Sequence, residues 1–293
     1  MQNIHFIINP ISGSGNHIIN EDLILNYFTK DTYNVKLKYT KQKKHAIFLT
    51  EESIEEKADI IVACGGDGTI NEVASCLVNK DIILGIIAVG SGNGLASNLK
   101  IPKNINKAIV QIKKQRILKI DVGLVNNNYF FSNMGIGFDA EVICQYESMP
   151  TRGLFSYVKA SIKSFKSYKY LTYKYSLDNK EFSIQPFLFF ISNSNEMGNN
   201  ITITPKASLQ DGLLDVVIIP KINKFRMLIF GFLLLIRKHY LLKEVIYKQL
   251  DNLTIIKNNN SAMNIQIDGE LYILKSNELK IKVLKKALTV ITA

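Results

Sequence analysis

The 293-residue sequence has no tryptophan, only three cysteines and six prolines, and no long hydrophobic run. Cys64, Cys76 and Cys144 are odd in number and scattered. That excludes a disulfide framework and a cysteine-based metal centre and points to a reducing, cytoplasmic setting. With no repetitive or low-complexity tract either, the chain has no flexible linker and no internal repeat. The most apolar stretch, Met227 to Ile236, is bounded by Arg226 and Arg237 and is half as long as the about 20 residues that cross a bilayer. The N-terminus runs into a short apolar strand, Ile4 to Ile8, in place of a long signal-like core. A soluble or peripheral protein is expected, cytoplasmic or at the inner face of the membrane.

Acidic residues are also in short supply: 25 Asp and Glu stand against 36 Lys and Arg, a net charge of +11. Such a surplus suits acidic partners, whether nucleotide, nucleic acid or an anionic membrane surface. No nucleic-acid module and no interleaved basic and aromatic stripe is present, so nucleic acid is not expected. The four histidines, His5, His17, His45 and His239, have no ligand-like spacing. Hydrophobic residues make up 47% of the chain, enough for the core of one large or two medium domains.

What is present is concentrated in Cys64-Gly65-Gly66-Asp67-Gly68-Thr69-Ile70-Asn71-Glu72. This stretch follows the apolar run Ile60 to Ala63 and opens a segment with apolar residues at helical spacing, so it reads as strand, glycine-dense turn and helix N-terminus. Backbone N–H groups converge at such a place and the helix dipole adds to the attraction, which suits phosphate. Three glycines keep Cβ atoms away from a ligand, while Thr69 and Asn71 supply hydrogen-bonding side chains. A carboxylate beside phosphates is repulsive unless a cation lies between them. Asp67 therefore reads as a residue that positions Mg²⁺, directly or through water. The plainer alternative is an ordinary strand-to-helix turn with Asp67 as helix cap, but it leaves the double glycine unexplained.

The same grammar recurs along the first third of the chain. His5 to Ile8 reads as a buried strand ended by Asn9-Pro10-Ile11-Ser12-Gly13, with a helix over Ile18 to Phe28. Asn34 to Tyr39 gives the next strand, with Thr40 at its end, and Lys44 to Glu56 a helix. Ile82 to Val89 leads into a third small-residue loop, Gly90-Ser91-Gly92-Asn93-Gly94. Strands alternating with helices imply a parallel sheet with right-handed crossovers, whose carboxyl edge collects the loops. A helix over Asn104 to Lys114 closes this part. From Ile117 onwards most segments read as strands: Leu118 to Val125, Tyr129 to Met134, Leu171 to Leu177, Phe187 to Ser192, Leu214 to Ile219, Asn252 to Ile256, Ala262 to Ile267 and Leu279 to Val283. Helices near Phe155 to Ser167 and Lys224 to Arg237 interrupt a second, largely antiparallel β domain.

With Asn9 to Gly13, Gly65 to Val73 and Gly90 to Ala96 in order, the sequence resembles the diacylglycerol kinase and sphingosine kinase family of lipid kinases. Gly135-Ile136-Gly137-Phe138-Asp139-Ala140, Asp211-Gly212-Leu213-Leu214-Asp215 and Asp268-Gly269-Glu270 extend the similarity over essentially the whole chain. The resemblance implies an α/β plus all-β fold. A Rossmann-like ATP-binding domain, kin to NAD kinases, would span 1–125 and 286–293, and a β-sandwich-like lipid domain 126–285. It implies an ATP site formed by Asn9, Pro10, Ile11, Ser12, Gly13, Thr40, Gly65, Gly66, Asp67, Gly68, Thr69, Asn71 and Ser91. It also implies Glu270 as catalytic base with Asp268 close by, Asp67 organising the catalytic Mg²⁺, and a second, structural Mg²⁺ at Ser208, Asp211 and the Leu213 carbonyl. Asp139 matches the acidic residue that contacts the lipid headgroup in sphingosine kinases; a loop Asp capping the next helix is the alternative. Typical bacterial diacylglycerol kinases have Asp after the Asn of the third loop, where this chain has Gly94, closer to sphingosine and ceramide kinases.

The expected activity is thus ATP- and Mg²⁺-dependent phosphorylation of a lipid hydroxyl, on diacylglycerol or a sphingoid-type lipid. Such transfer requires in-line placement of the alcohol, neutralisation of the spreading charge, and removal of the alcohol's proton. A kinase for a soluble acceptor such as NAD, and a non-catalytic nucleotide-binding regulator, are the alternatives. Partners expected are the lipid, an anionic membrane surface and, as the family allows, a second copy in a homodimer. Met227 to Ile236 reads first as a helix packed on the β domain, and second as one dipping into anionic headgroups through its basic ends.

Overall fold

The computed structural model describes residues 1–293 except 14–18, 91, 152, 178–179, 198–200 and 260. The chain divides into two units, Met1–Val122 with Lys285–Ala293, and Gly123–Leu284.

The first unit alternates strands β1 (Gln2–Ile8), β2 (Tyr33–Tyr39), β3 (Ile60–Gly65) and β4 (Ile83–Ala88) with helices α1 (Glu21–Leu25), α2 (His45–Glu55), α3 (Asp67–Leu77), α4 (Gly94–Asn98) and α5 (Ile105–Lys114). Strand β5 (Ile117–Val125) leads out of it. The strands are parallel in the order β2-β1-β3-β4. Every residue of β3 is buried, as expected of a parallel strand covered on both faces. The α1 helix is shorter than the periodicity of Ile18 to Phe28 predicts. The Asn20 side chain accepts from the Leu23 N–H at 2.9 Å and so fixes the helix start at Glu21. The last strand, β16 (Glu278–Ile291), ends in this unit with Val290 paired in parallel to Leu84 of β4. Lys286 on that strand donates its N–H to the buried Asp121 carboxylate at 2.7 Å.

The second unit contains β6 (Asn128–Phe130), β7 (Asn133–Gly137), α6 (Phe138–Glu147), α7 (Leu154–Ser167), β8 (Tyr173–Leu177), β9 (Lys180–Ile184), β10 (Pro186–Ser192), β11 (Leu214–Pro220), α8 (Lys224–Leu235), β12 (Ile246–Leu250), β13 (Asn252–Lys257), β14 (Met263–Ile267) and β15 (Glu270–Leu274). One antiparallel sheet runs β12-β11-β10-β7-β14-β15, and the start of β16 pairs with β13, followed by β8 and β9. Phe130, Met134, Phe189, Val216, Ile255, Ile265 and Ile281 form the filling between the two sheets of a β-sandwich. Phe190, Val217 and Ile219, on the opposite face of the six-stranded sheet, pack against Met227 and Phe230 of α8. Tyr129 to Met134, expected as one strand, is two. The N–H groups of Phe131 and Ser132 donate to the Asp268 carboxylate, at 2.9 and 2.8 Å, in place of a neighbouring strand.

Candidate active site

In the first unit the three glycine-bearing loops all leave the carboxyl ends of β1, β3 and β4, and Thr40 follows β2 on the same edge. Backbone touches backbone there. A Cβ on Gly13 would strike the Val89 carbonyl, and one on Gly90 would strike Gly66, so the first and second loops both lean on the third. The Val89 N–H donates to the Gly65 carbonyl at 2.9 Å, and the Thr40 N–H to that of Ile8 at 2.8 Å.

Side chains complete the assembly. Asn9 donates through Nδ2 to Thr69 Oγ1 at 3.0 Å, while its Oδ1 accepts from the Ile11 N–H at 3.2 Å. Ser12 donates through Oγ to the Asn9 carbonyl at 2.8 Å, and Pro10 and Ile11 are exposed. The α3 N-terminus, at Gly66, has no side-chain cap, so the positive end of that helix opens on the glycine-dense turn. Asp67 does not cap its own helix. Its two oxygens accept from the N–H groups of Asn93 at 2.7 Å and Gly94 at 2.8 Å, holding the third loop against the second. Asn71 accepts from Ser75 Oγ at 3.3 Å on α3. Ser91 lies outside the described residues. Glu72 is a participant the sequence reading missed: it accepts from the N–H groups of Lys44 and Ala46 and caps α2 from a distance. Only a long-range contact gives it that task.

In the second unit, Asp268-Gly269 forms the two-residue turn joining β14 to β15, with φ of 47° and 83° and Ile267 paired to Glu270. Two successive positive φ values match a tight hairpin, for which Asp-Gly is a favoured pair. The Asp268 carboxylate accepts from the N–H groups of Phe131, Ser132 and Asn133. Glu270, half-buried, opens β15. Gln266 ties the neighbourhood together. It accepts from the Gly269 N–H at 3.0 Å and donates to Asn133 Oδ1 at 2.7 Å. The spacing of Gln266 on β14 carries no signal of that role.

Asp139 lies in the first turn of α6 and is 6% exposed, with its carboxylate filling the space a side chain on Gly135 would take. Burial pushes its carboxyl up to about 6, with the neighbouring Gln266 amide opposing the shift. Its Oδ2 is buried with no hydrogen-bond partner among the described residues.

Ser208, Asp211 and Leu213 lie together on the segment entering β11. Ser208 Oγ accepts from the Gln210 N–H and Asp211 Oδ1 from the Leu213 N–H. Burial pushes the neighbouring Asp215 carboxyl up to about 6, with Asp211 adding repulsion; Gln249 and Lys206 oppose the shift. Among the described residues no three His, Cys, Asp or Glu cluster to hold a metal. Here the donors would be a hydroxyl, one carboxylate and a backbone carbonyl, an all-oxygen set that fits a hard cation.

Comparison with known proteins finds two family profiles in succession along the chain. The profile of the diacylglycerol kinase catalytic domain matches residues 3–125. That of the YegS C-terminal NAD kinase beta sandwich-like domain matches residues 132–292. The chain is 29% identical over 277 residues to diacylglycerol kinase of Bacillus subtilis, covering 92% of this chain and 90% of that one. It is 28% identical over 276 residues to diacylglycerol kinase of Staphylococcus haemolyticus, covering 90% and 81%. A crystal structure of a diacylglycerol kinase from Bacillus anthracis superposes with a TM-score of 0.73 at 18% identity, covering 100% of this chain and 97% of that one, which shows the shared fold.

Proposed function

The chain belongs to the diacylglycerol kinase family, and on that premise we propose that it transfers the γ-phosphate of ATP to a lipid hydroxyl with Mg²⁺, diacylglycerol being the leading acceptor. The observation that carries the reading is the gathering of three glycine-bearing loops at the carboxyl edge of a parallel sheet, with the α3 N-terminus among them. Backbone N–H groups of Gly66 to Thr69 bind the phosphates, helped by Asn9, which Thr69 orients. Asn9 to Gly13, Thr40, Asn71 and Ser91 complete the nucleotide site. Asp67 holds Mg²⁺ directly or through water while keeping Asn93 and Gly94 in place. When bound, the cation neutralises charge on the phosphoryl group in transfer.

Glu270 takes the proton of the acceptor hydroxyl. Asp268 positions it by clamping the turn to Phe131, Ser132 and Asn133. Asp139, at the start of α6, contacts the headgroup of the acceptor. Ser208, Asp211 and the Leu213 carbonyl hold a second Mg²⁺ that stiffens the approach to β11. Labelled γ-phosphate transfer to diacylglycerol, monoacylglycerol, sphingosine and ceramide, with NAD as soluble control, tests the reading. Glu270-dependent labelling of a lipid supports it; labelling of NAD alone overturns it.

A further inference from the structure

A helix that is hydrophobic all round is ordinarily buried all round. From Met227 to Ile236, α8 and its first following residue carry no charged or polar side chain, yet only Met227 and Phe230 are buried against the sheet. Phe225, Leu228, Phe232 and Leu235 are 70%, 60%, 63% and 75% exposed. Their spacing of three, four and three residues puts them in one stripe along the helix. Ile236 and, in the 3-10 turn His239–Leu241, Tyr240 and Leu241 extend the exposed apolar surface beyond the helix end.

The charge around the stripe is predominantly basic. Lys221, Lys224 and Arg226 stand at the start of the helix, and Arg237, Lys238 and Lys243 beyond its end, with no acidic residue from 221 to 243. Arg226 is joined to Glu244, and Lys224 lies over the Phe165 ring of α7, itself a helix without Asp or Glu. An apolar stripe between two basic clusters is complementary to a layer whose surface is negative and whose interior is hydrocarbon. It is poorly matched to a second copy of the same stripe, which would bring like charges together at both ends.

We propose that this face of α8 is an interfacial anchor for anionic membranes, lying in the plane of the bilayer with Phe225, Leu228, Phe232 and Leu235 below the headgroups. The Tyr240 ring, amphipathic and exposed beyond the helix end, sits at the headgroup level. The choice of bilayer as occupant rests on the lipid-kinase reading, because a lipid acceptor is presented there. Removing two stripe residues takes away apolar burial on a scale of about tenfold each. Removing a basic residue weakens binding to anionic lipid by about fivefold.

The test is co-sedimentation of the full chain with equimolar phosphatidylglycerol and phosphatidylcholine vesicles, and with phosphatidylcholine alone. The wild type is expected to bind the anionic vesicles more tightly. Phe232→Ser/Leu235→Ser should lose about 10²-fold with an unchanged unfolding midpoint, and Arg237→Gln/Lys238→Gln should lose chiefly the salt-dependent part. Vesicle binding that is absent in the wild type, or equal in wild type and stripe variant, overturns the anchor. So does a wild-type dimer that the stripe variant converts to monomer without change in vesicle binding. Phosphorylation of a short-chain diacylglycerol below its critical micelle concentration reads the kinase assignment separately. The stripe variant should retain that activity while losing activity on vesicle-borne diacylglycerol.

Discussion

Asp268 and Asn133 hold each other twice: the Asp268 carboxylate accepts from the Asn133 N–H at 3.0 Å, and the Asp268 N–H donates to the Asn133 carbonyl at 2.9 Å. With Phe131 and Ser132 adding two further N–H donors, this carboxylate fixes the turn from which Glu270 departs. Asp268→Ala leaves three backbone N–H groups without their acceptor and is expected to destabilise the protein by about 2–4 kcal/mol. It should lower kcat as well. Glu270→Gln should lower kcat with little change in stability. Thermal unfolding and initial rates on both variants check the separation.

Asp67 serves two loops at once, so its amide variant should fail in two ways. Asn offers one acceptor oxygen where Asn93 and Gly94 present two donors, an expected loss of about 1–2 kcal/mol. The fall in kcat for Asp67→Asn should be larger, about 10²-fold, the scale of losing one preorganised electrostatic partner. A Mg²⁺ titration of activity distinguishes the tasks: a raised Mg²⁺ requirement assigns Asp67 to the cation, and an unchanged one restricts it to loop anchoring.

Gly90→Ala pushes a methyl group into Gly66 across the meeting point of the second and third loops. The Asn93 Oδ1 beside it can shift, but the Gly66 Cα is backbone, so backbone must move, at about 1–3 kcal/mol. The KM for ATP should rise more than that for the lipid. Isothermal titration with ATP measures the first effect directly.

Local pattern made the parallel strands and their loops legible, because each apolar run of Ile, Val and Ala meets a glycine-rich end within a few residues. The carboxyl-edge convergence of the three loops followed from strand alternation alone. The hydrogen bonds that organise the site were not legible. Asp67 reaches Asn93, Glu72 reaches Lys44, and Asp268 reaches Phe131 across sequence gaps that no period encodes. The same gap explains the split of Tyr129 to Met134, whose alternation is that of one strand although Asp268 interrupts its ladder. For α8, composition indicated a helix packed on the β domain, and Met227 and Phe230 pack there with Ile229, Leu233 and Leu234 partly buried beside them; the exposed stripe of Phe225, Leu228, Phe232 and Leu235 is what composition did not show.

The Asp139 carboxyl titrates from the ordinary 3.8 up to about 6 through burial. The folded state therefore binds this proton more tightly than the unfolded one, and stability from this group rises as pH falls from about 6 towards 4. Above pH 6 the buried charge costs up to about 3 kcal/mol. Asp139→Asn should be more stable than wild type at pH 8, with the difference vanishing near pH 4. Urea unfolding of the two proteins across that range checks the sign.

Phosphate transfer from γ-labelled ATP in mixed micelles, run on wild type and Glu270→Ala side by side, tests the central claim most directly. The account predicts that wild type labels one lipid of the panel, diacylglycerol first, that Mg²⁺ is required, and that Glu270→Ala loses the labelling while still binding ATP. Labelling of NAD in place of lipid, or equal lipid labelling by the two proteins, would contradict it.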